Sequence, residues 1–267
     1  FKPIVCEEET SNTIVLQVPD RYFRSWLESN YLAMLKDELR MQTDKELDIQ
    51  FTYRDAQQTK NTKTRPTGPE TLPIDSRYTF GTFVVGDSNH LAHAACSAIA
   101  DAPGDTYNPL FIYGGVGLGK THLLHSVANQ IRAERPAAKI QYFAAESYIN
   151  DLVQSIRTDR MDDFRRRYRQ RCDVLLVDDI QFLAGKERTQ VEFFHTFNSL
   201  YADRKQIVLT SDRAPSEIAN LEDRLKSRFQ WGLIADVQLP DYETRLAILR
   251  SKAAAEQIHL PDDVAEF

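Results

Sequence analysis

Glycines at 114, 115, 117 and 119, then Lys120 and Thr121, interrupt the stretch PLFIYGGVGLGKTHLLHSV (109–127) where an apolar strand pattern gives way to a helical one. Side chains at those positions would hold the backbone away from an anion, so glycines let successive N–H groups converge on phosphate oxygens. A lysine adds positive charge for β- and γ-phosphates, and a hydroxyl adds a ligand for Mg²⁺. Gly114, four residues, then Gly119-Lys120-Thr121 is the spacing of a phosphate-binding loop between strand and helix. Gly115, Gly117, Gly119, Lys120, Thr121 and His122 are therefore candidate nucleotide contacts. A glycine-rich turn without a ligand is the alternative, and the strand and helix patterns flanking the turn oppose it.

Carboxylates offer the rest of the chemistry. In DVLLVDDIQFL (173–183) an apolar run ends at Asp178 and Asp179. In open parallel sheets, ligands bind beyond the C-terminal ends of the strands. Asp178 is placed to hold Mg²⁺ through its waters, and Asp179 to orient or deprotonate an attacking water. A helix cap following a strand would use the same residues without a ligand. IVLTSDR (207–213) brings Thr210, Ser211 and Asp212 to a further strand end, although strand-to-turn transitions favour such residues anyway. Arg224 and Arg228 in LEDRLKSRF share one face of a helical turn, a spacing that fits solvated surface as well as catalysis. His122 and His125 have no cysteine or carboxylate cluster around them, which favours packing or phosphate proximity over metal binding.

Positioning such groups takes a sheet. LFIY (110–113), KIQYFA (139–144), DVLLV (173–177), QIVLT (206–210) and LIADVQL (233–239) are candidate strands with helical stretches between them. The first four read as buried on both faces, which predicts an α/β fold: a parallel sheet with helices on both sides, spanning 77–240. From Asp241, DYETRLAILRSKAAAEQIHL has a helical period and predicts the start of a helical lid over 241–267.

The first residues read as a separate piece. TIVLQV (13–18) alternates as a strand; Tyr22, Phe23, Trp26, Leu27, Tyr31, Leu32, Leu35 and Leu39 recur at helical spacing; Leu47, Ile49, Phe51 and Tyr53 alternate again. This β-α-β unit, 1–55, is too small to hold much of a core alone. Trp26 is read as core, with a partner surface as the alternative. Residues 56–76, rich in Thr and Pro, predict a flexible linker, the alternative being a long ordered loop. The chain starts without Met and stops as LPDDVAEF opens a new helix, so it is read as a fragment trimmed at both ends.

With 267 residues, 42% of them hydrophobic and 27% charged, the composition is that of a globular protein. No apolar run approaches the ~20 residues of a membrane span. Three scattered cysteines argue against a disulfide framework or a zinc site and fit a reducing, cytoplasmic setting. A net charge of −6 does not advertise a nucleic-acid binder, yet the basic residues are concentrated. Between 157 and 171 stand seven arginines against three aspartates.

Phosphate loop, tandem-acid strand, polar strand end and late arginine pair, in this order, resemble the AAA+ ATPases. YTFGTFVVGDSN, YNPLFIYGGVGLGKTHLLH, LLVDDIQFLAGKERTQVEFFHTFN and EDRLKSRF are similar to the bacterial chromosomal replication initiator family, DnaA, over most of 77–260. The resemblance implies ATP or ADP with Mg²⁺, Val84 and Val85 lining the adenine pocket, and Asp212 sensing the γ-phosphate. It implies that Arg228, with Arg224 as second candidate, reaches the ATP of a neighbouring protomer in a filament. It implies ATP-dependent contact of Val153, Lys186 and Arg188 with single-stranded DNA and opening of origin duplex, in a nucleoid-associated setting. The arginine run supports a backbone-following role, and a solvated charged helix paired to Asp162 and Asp163 is the alternative.

The same resemblance gives 1–55 a KH-like fold that binds partners such as the replicative helicase, regulators or the protein itself. An RNA-binding KH module is opposed by the lack of a Gly-x-x-Gly loop between helices. Acidic phospholipids are a further partner class it implies. The duplex-reading helix-turn-helix domain and the lid arginine of the family are expected beyond the end of this chain. Asp179 stands where many AAA+ proteins carry Glu, a base one methylene shorter, which fits a slow switch with hydrolysis impaired in so short a chain. A related regulatory or loader ATPase acting on a protein partner is the competing reading, and the 1–76 region argues against it.

Overall fold

The computed structural model describes residues 5–9, 13–18, 48–53 and 73–265. The chain divides into two compact units, Phe1–Pro66 and Thr67–Phe267. The linker expected at 56–76 and the helix expected around Trp26 lie almost wholly outside the described residues.

In the first unit, β2 (Thr13–Val18) and β3 (Asp48–Tyr53) pair in parallel, with Leu16 opposite Phe51. Parallel neighbours need a long crossover, and residues 19–47 supply its length. A further strand, β1 (Val5–Glu9), pairs antiparallel to β2. It was not expected, because CEEE shows no apolar alternation to mark it.

The second unit is built on five parallel strands: β4 (Leu110–Gly114), β5 (Ile140–Ala144), β6 (Val174–Asp178), β7 (Gln206–Ser211) and β8 (Leu233–Val237). Their order across the sheet is β5-β6-β7-β4-β8. Alternate residues feed two cores. Leu110, Ile112, Leu176 and Val208 pack with α1 (His90–Asp101) and α2 (Lys120–Glu134). Phe111, Leu175, Val177, Ile207 and Leu209 pack on the other face, with residues of α3 (Ala145–Arg157), α5 (Glu187–Ala202) and α6 (Asp223–Phe229). Between them lies α4 (Met161–Arg165), continued by a wider turn, Arg166–Gln170, whose Tyr168 is buried. The expected α/β layering is present. After the sheet, α7 (Tyr242–Ala255) starts at Asp241, whose carboxylate accepts from the Thr244 amide at 2.7 Å.

Candidate functional site

The sheet brings three strand ends together. β4 runs into the turn 114–119, and β7 lies between β4 and β6, so the tips of all three are neighbours. Gly119 caps α2 at φ 94°, a left-handed conformation that glycine adopts without strain. A Cβ there would also stand 2.9 Å from the Phe83 ring, which closes the turn from one side. At Gly117, φ 79°, a Cβ would meet nothing within 4 Å. The open side of the turn is thus where an anion can approach.

Lys120 is buried, 7% exposed, and its Nζ donates to the Gly114 and Gly115 carbonyls at 2.7 and 2.8 Å. The ammonium thus rests on the carbonyls of its own loop, with its positive charge held beside the glycine turn. Beside it the Thr121 hydroxyl donates to Asp178 Oδ2 at 2.7 Å. Asp178, 6% exposed, also accepts from the Thr210 hydroxyl on Oδ1 and from the Tyr142 hydroxyl at 3.4 Å. Burial holds the Tyr142 phenol protonated, with the Asp178 charge adding to the effect.

A hydroxyl and a carboxylate oxygen so close are hard donors of the kind Mg²⁺ takes, and no group of three or more His, Cys, Asp or Glu among the described residues could hold a metal.

Asp179 sits next to this pair in a left-handed conformation, φ 56°. Its amide donates to Thr210 Oγ1 at 3.0 Å, and its Oδ1 accepts from Gln181 Nε2 at 3.1 Å. Thr210, a weak signal in the sequence, thus ties both aspartates to the end of β7. Asp212 lies two residues on. Its carboxylate is bonded to Arg213, which holds it below its usual range, with Lys120 contributing.

His122 turns its ring away from the glycine turn toward the entry segment: Nε2 lies 2.9 Å from the Thr79 carbonyl and 3.3 Å from the Thr82 hydroxyl. What is left at His122 for a phosphate is its backbone N–H in the first turn of α2. His125 Nδ1 accepts from the Asp75 amide at 2.9 Å, and its ring meets Tyr142 edge-on. Both histidines are packing groups, and burial lowers the pKa of each.

Val84 and Val85 lie on a loop pinned by the buried Asn89, whose Oδ1 accepts from Gly86 N at 3.0 Å and whose Nδ2 donates to Val84 O at 3.1 Å. The Gly86 backbone packs on Thr244 at the start of α7. A cavity of about 300 Å³ beside the loop, between Asp87, Leu91, Gln238 and Asp241, is lined by no residue of the glycine turn.

Arg228 and Arg224 are not gathered at the turn. Arg228 Nε donates to Asn198 Oδ1 at 2.8 Å, and Arg224 is bonded to Glu222. Val153 is 40% exposed on α3; Lys186 and Arg188 are exposed at the start of α5. The arginine run divides. Arg165 and Arg169 share Glu192, and Arg167 is paired with Asp151. Of the aspartates expected as partners, Asp163 makes one long contact, 3.9 Å to Arg166.

A phosphate-binding turn between β4 and α2, two acids at the next-but-one strand and a five-stranded parallel sheet define a P-loop nucleotide-binding domain of the AAA+ class. Residues 74–236 match the description "Bacterial DnaA ATPAse domain". The chain belongs to this family. It is 47% identical over its whole length to the chromosomal replication initiator protein DnaA of Caldanaerobacter subterraneus subsp. tengcongensis, of which it spans 61%. Domain III of the Thermotoga maritima replication initiation protein DnaA superposes with a TM-score of 0.71 at 48% identity, over 73% of this chain and 81% of that one. A replication initiator DnaA bound to AMPPCP and single-stranded DNA superposes with a TM-score of 0.68 at 40% identity, over 72% of this chain and 59% of that one.

Proposed function

We propose that the chain is the nucleotide-gated part of an initiator of chromosome replication. In this reading it binds ATP, assembles with further copies of itself into a filament at the origin, and holds single-stranded DNA so that the duplex opens. The observation that carries it is the Thr121–Asp178 hydrogen bond beside Lys120, which puts a hydroxyl, a carboxylate and an ammonium around one glycine turn. The related initiator bound to AMPPCP and single-stranded DNA supports both ligands.

Gly115, Gly117, Gly119 and the amides of Thr121 and His122 cradle the phosphates, and Lys120 moves from its loop carbonyls to phosphate oxygens. Bound Mg²⁺ would supply charge neutralisation on the β- and γ-phosphates. Thr121 and Asp178 are the residues that would hold it. Asp179 orients or deprotonates the attacking water, Asp212 meets the γ-phosphate, and Val84 and Val85 cover the adenine.

Arg228 of the next protomer completes the site, so hydrolysis is slow until copies assemble and afterwards resets the assembly. Val153, Lys186 and Arg188 follow the DNA strand without reading its bases. The first unit docks the helicase or a regulator.

The test is a gel shift with oligo-dT and a non-hydrolysable ATP analogue across a range of protein concentrations. A nucleotide-dependent shift that steepens with concentration, and that Lys120→Ala abolishes, is expected. Equal shifts with and without the analogue overturn the reading. No shift at any concentration points to an ATPase acting on a protein partner.

A further inference from the structure

We infer that Asn198 and Trp231 are positioning residues that hold the Arg228 guanidinium as a preset fork for a phosphate carried by a second molecule. The inference rests on the reading that Arg228 acts on a neighbour's nucleotide, and it names what makes that arginine competent. Phe229 is fully buried and stacks on Phe111, which fixes the last turn of α6 against the sheet. The chain then folds back, the Trp231 amide donating to the Arg228 carbonyl at 3.2 Å. This return lays the indole, 48% exposed, on the guanidinium: Arg228 Cζ lies 3.6 Å from the Trp231 ring centroid and 5.5 Å from that of Phe194. Tyr201 supports the indole edge-on at 5.2 Å.

The hydrogen bonding of this group is unbalanced in a telling way. Nε is committed to Asn198, a neutral amide. The two Nη nitrogens have no hydrogen-bond partner among the described residues, and no carboxylate there pairs with Arg228. Its neighbours differ: Arg224 is paired with Glu222 and Lys226 lies near Asp223. Arg224 also lies over an aromatic ring, 4.6 Å from the Phe194 centroid, but it has a carboxylate beside it. At Arg228 one donor is tied, one face is stacked, and the fork that matches phosphate oxygens is left open with its full charge. Stacking costs a guanidinium none of its donors, since they lie in its plane. Freezing the side chain before the partner arrives removes ordering cost from the encounter, which is the value of a preset group. The same comparison separates the two arginines: Arg228 is the unneutralised one.

The experiment compares wild type, Arg228→Ala, Trp231→Leu, Trp231→Phe, Asn198→Ala and the double variant Arg228→Ala/Trp231→Leu, measuring ATP hydrolysis against protein concentration. Trp231→Leu and Asn198→Ala are each expected to lower kcat about five- to tenfold in the assembled state with KM for ATP unchanged. Trp231→Phe should restore most of it, since a smaller ring still offers a face. Trp231→Leu should add nothing in the Arg228→Ala background. In a Trp26→Phe background, emission from Trp231 should shift on assembly and stay fixed when Arg228 is removed. Equal losses from Trp231→Leu with and without Arg228 would show a structural role only and overturn the inference. Should Arg228→Ala collapse activity while Trp231→Leu and Asn198→Ala do not, the finger reading stands and the cradle falls. If Arg228→Ala itself changes nothing, both fall together.

Discussion

Thr210 donates its hydroxyl hydrogen to Asp178 and accepts the amide hydrogen of Asp179, so one side chain on β7 fixes both acids at the tip of β6. Thr210→Val keeps the shape and removes both bonds. A buried carboxylate then loses a donor, a change of about 1–3 kcal/mol. The expected result is a kcat for ATP hydrolysis lowered about tenfold or more. Affinity for ATP should hold, because the glycine turn is untouched. Thr210→Ser should retain most of the rate. A Val variant hydrolysing at the wild-type rate would remove Thr210 from the mechanism.

Lys120 offers a sharper loss. Its ammonium is already stationed on the Gly114 and Gly115 carbonyls, in place for the phosphates before a nucleotide arrives. Lys120→Ala should weaken ATP binding on the order of a hundredfold, the upper range for hydrogen bonds to a charged group. Isothermal titration with ATP and Mg²⁺ reads this directly. Thermal unfolding without nucleotide should change little by comparison.

The cationic residues divide into a free and a tethered set, and they should fail differently. Lys186→Ala and Arg188→Ala should each reduce the dependence of log K on log salt for oligo-dT by about 0.7, the single-strand value per phosphate contact. Their stability should match wild type, since both are exposed. Arg169 is instead bonded to Glu192 and Thr196. Arg169→Ala should lower the Tm and leave the salt slope nearly as it was. Identical slopes for all three variants would end the division.

The sheet was legible because its strands are continuous apolar runs that stop at polar residues, as at Val177–Asp178 and Leu209–Thr210–Ser211. Their order was not, since nothing local in LFIY says that β7 and β8 flank β4. The glycine turn, Asp178 and Asp179 were readable from spacing. Thr210 as a bracket for both aspartates was not, nor Tyr142 over Asp178, because these bonds join residues 31 to 36 apart in sequence. The partners of the arginine run were hidden in the same way. Its counter-charges, Glu192 and Asp151, lie outside the run on helices that folding brings alongside. His122 was readable as a phosphate contact from its place after Thr121; that its ring packs against Tyr78 and Phe83, leaving the backbone N–H for that role, was not.

That packing carries the last prediction. His122, His125 and Asn129, on one helix, clasp the segment 75–82: His125 Nδ1 accepts from Asp75, His122 Nε2 lies on Thr79, and Asn129 donates to the Asp75 and Tyr78 carbonyls. His125 can accept only with Nδ1 unprotonated. Burial lowers the pKa of both histidines from the ordinary 6.5, against the attraction of Asp178 and Asp75 for a charged His125. Below pH 6.5 the unfolded chain therefore binds more protons than the native one, and stability rises with pH through that range. Acidification from 7.5 through 6.5 toward the lowered native values should loosen the clasp, seen as faster hydrogen exchange at Asp75 and a falling Tm. His125→Gln, which cannot titrate and can still accept a hydrogen bond, should make the Tm profile shallower over that interval, leaving the share carried by His122. A variant profile as steep as that of wild type would place the titration elsewhere.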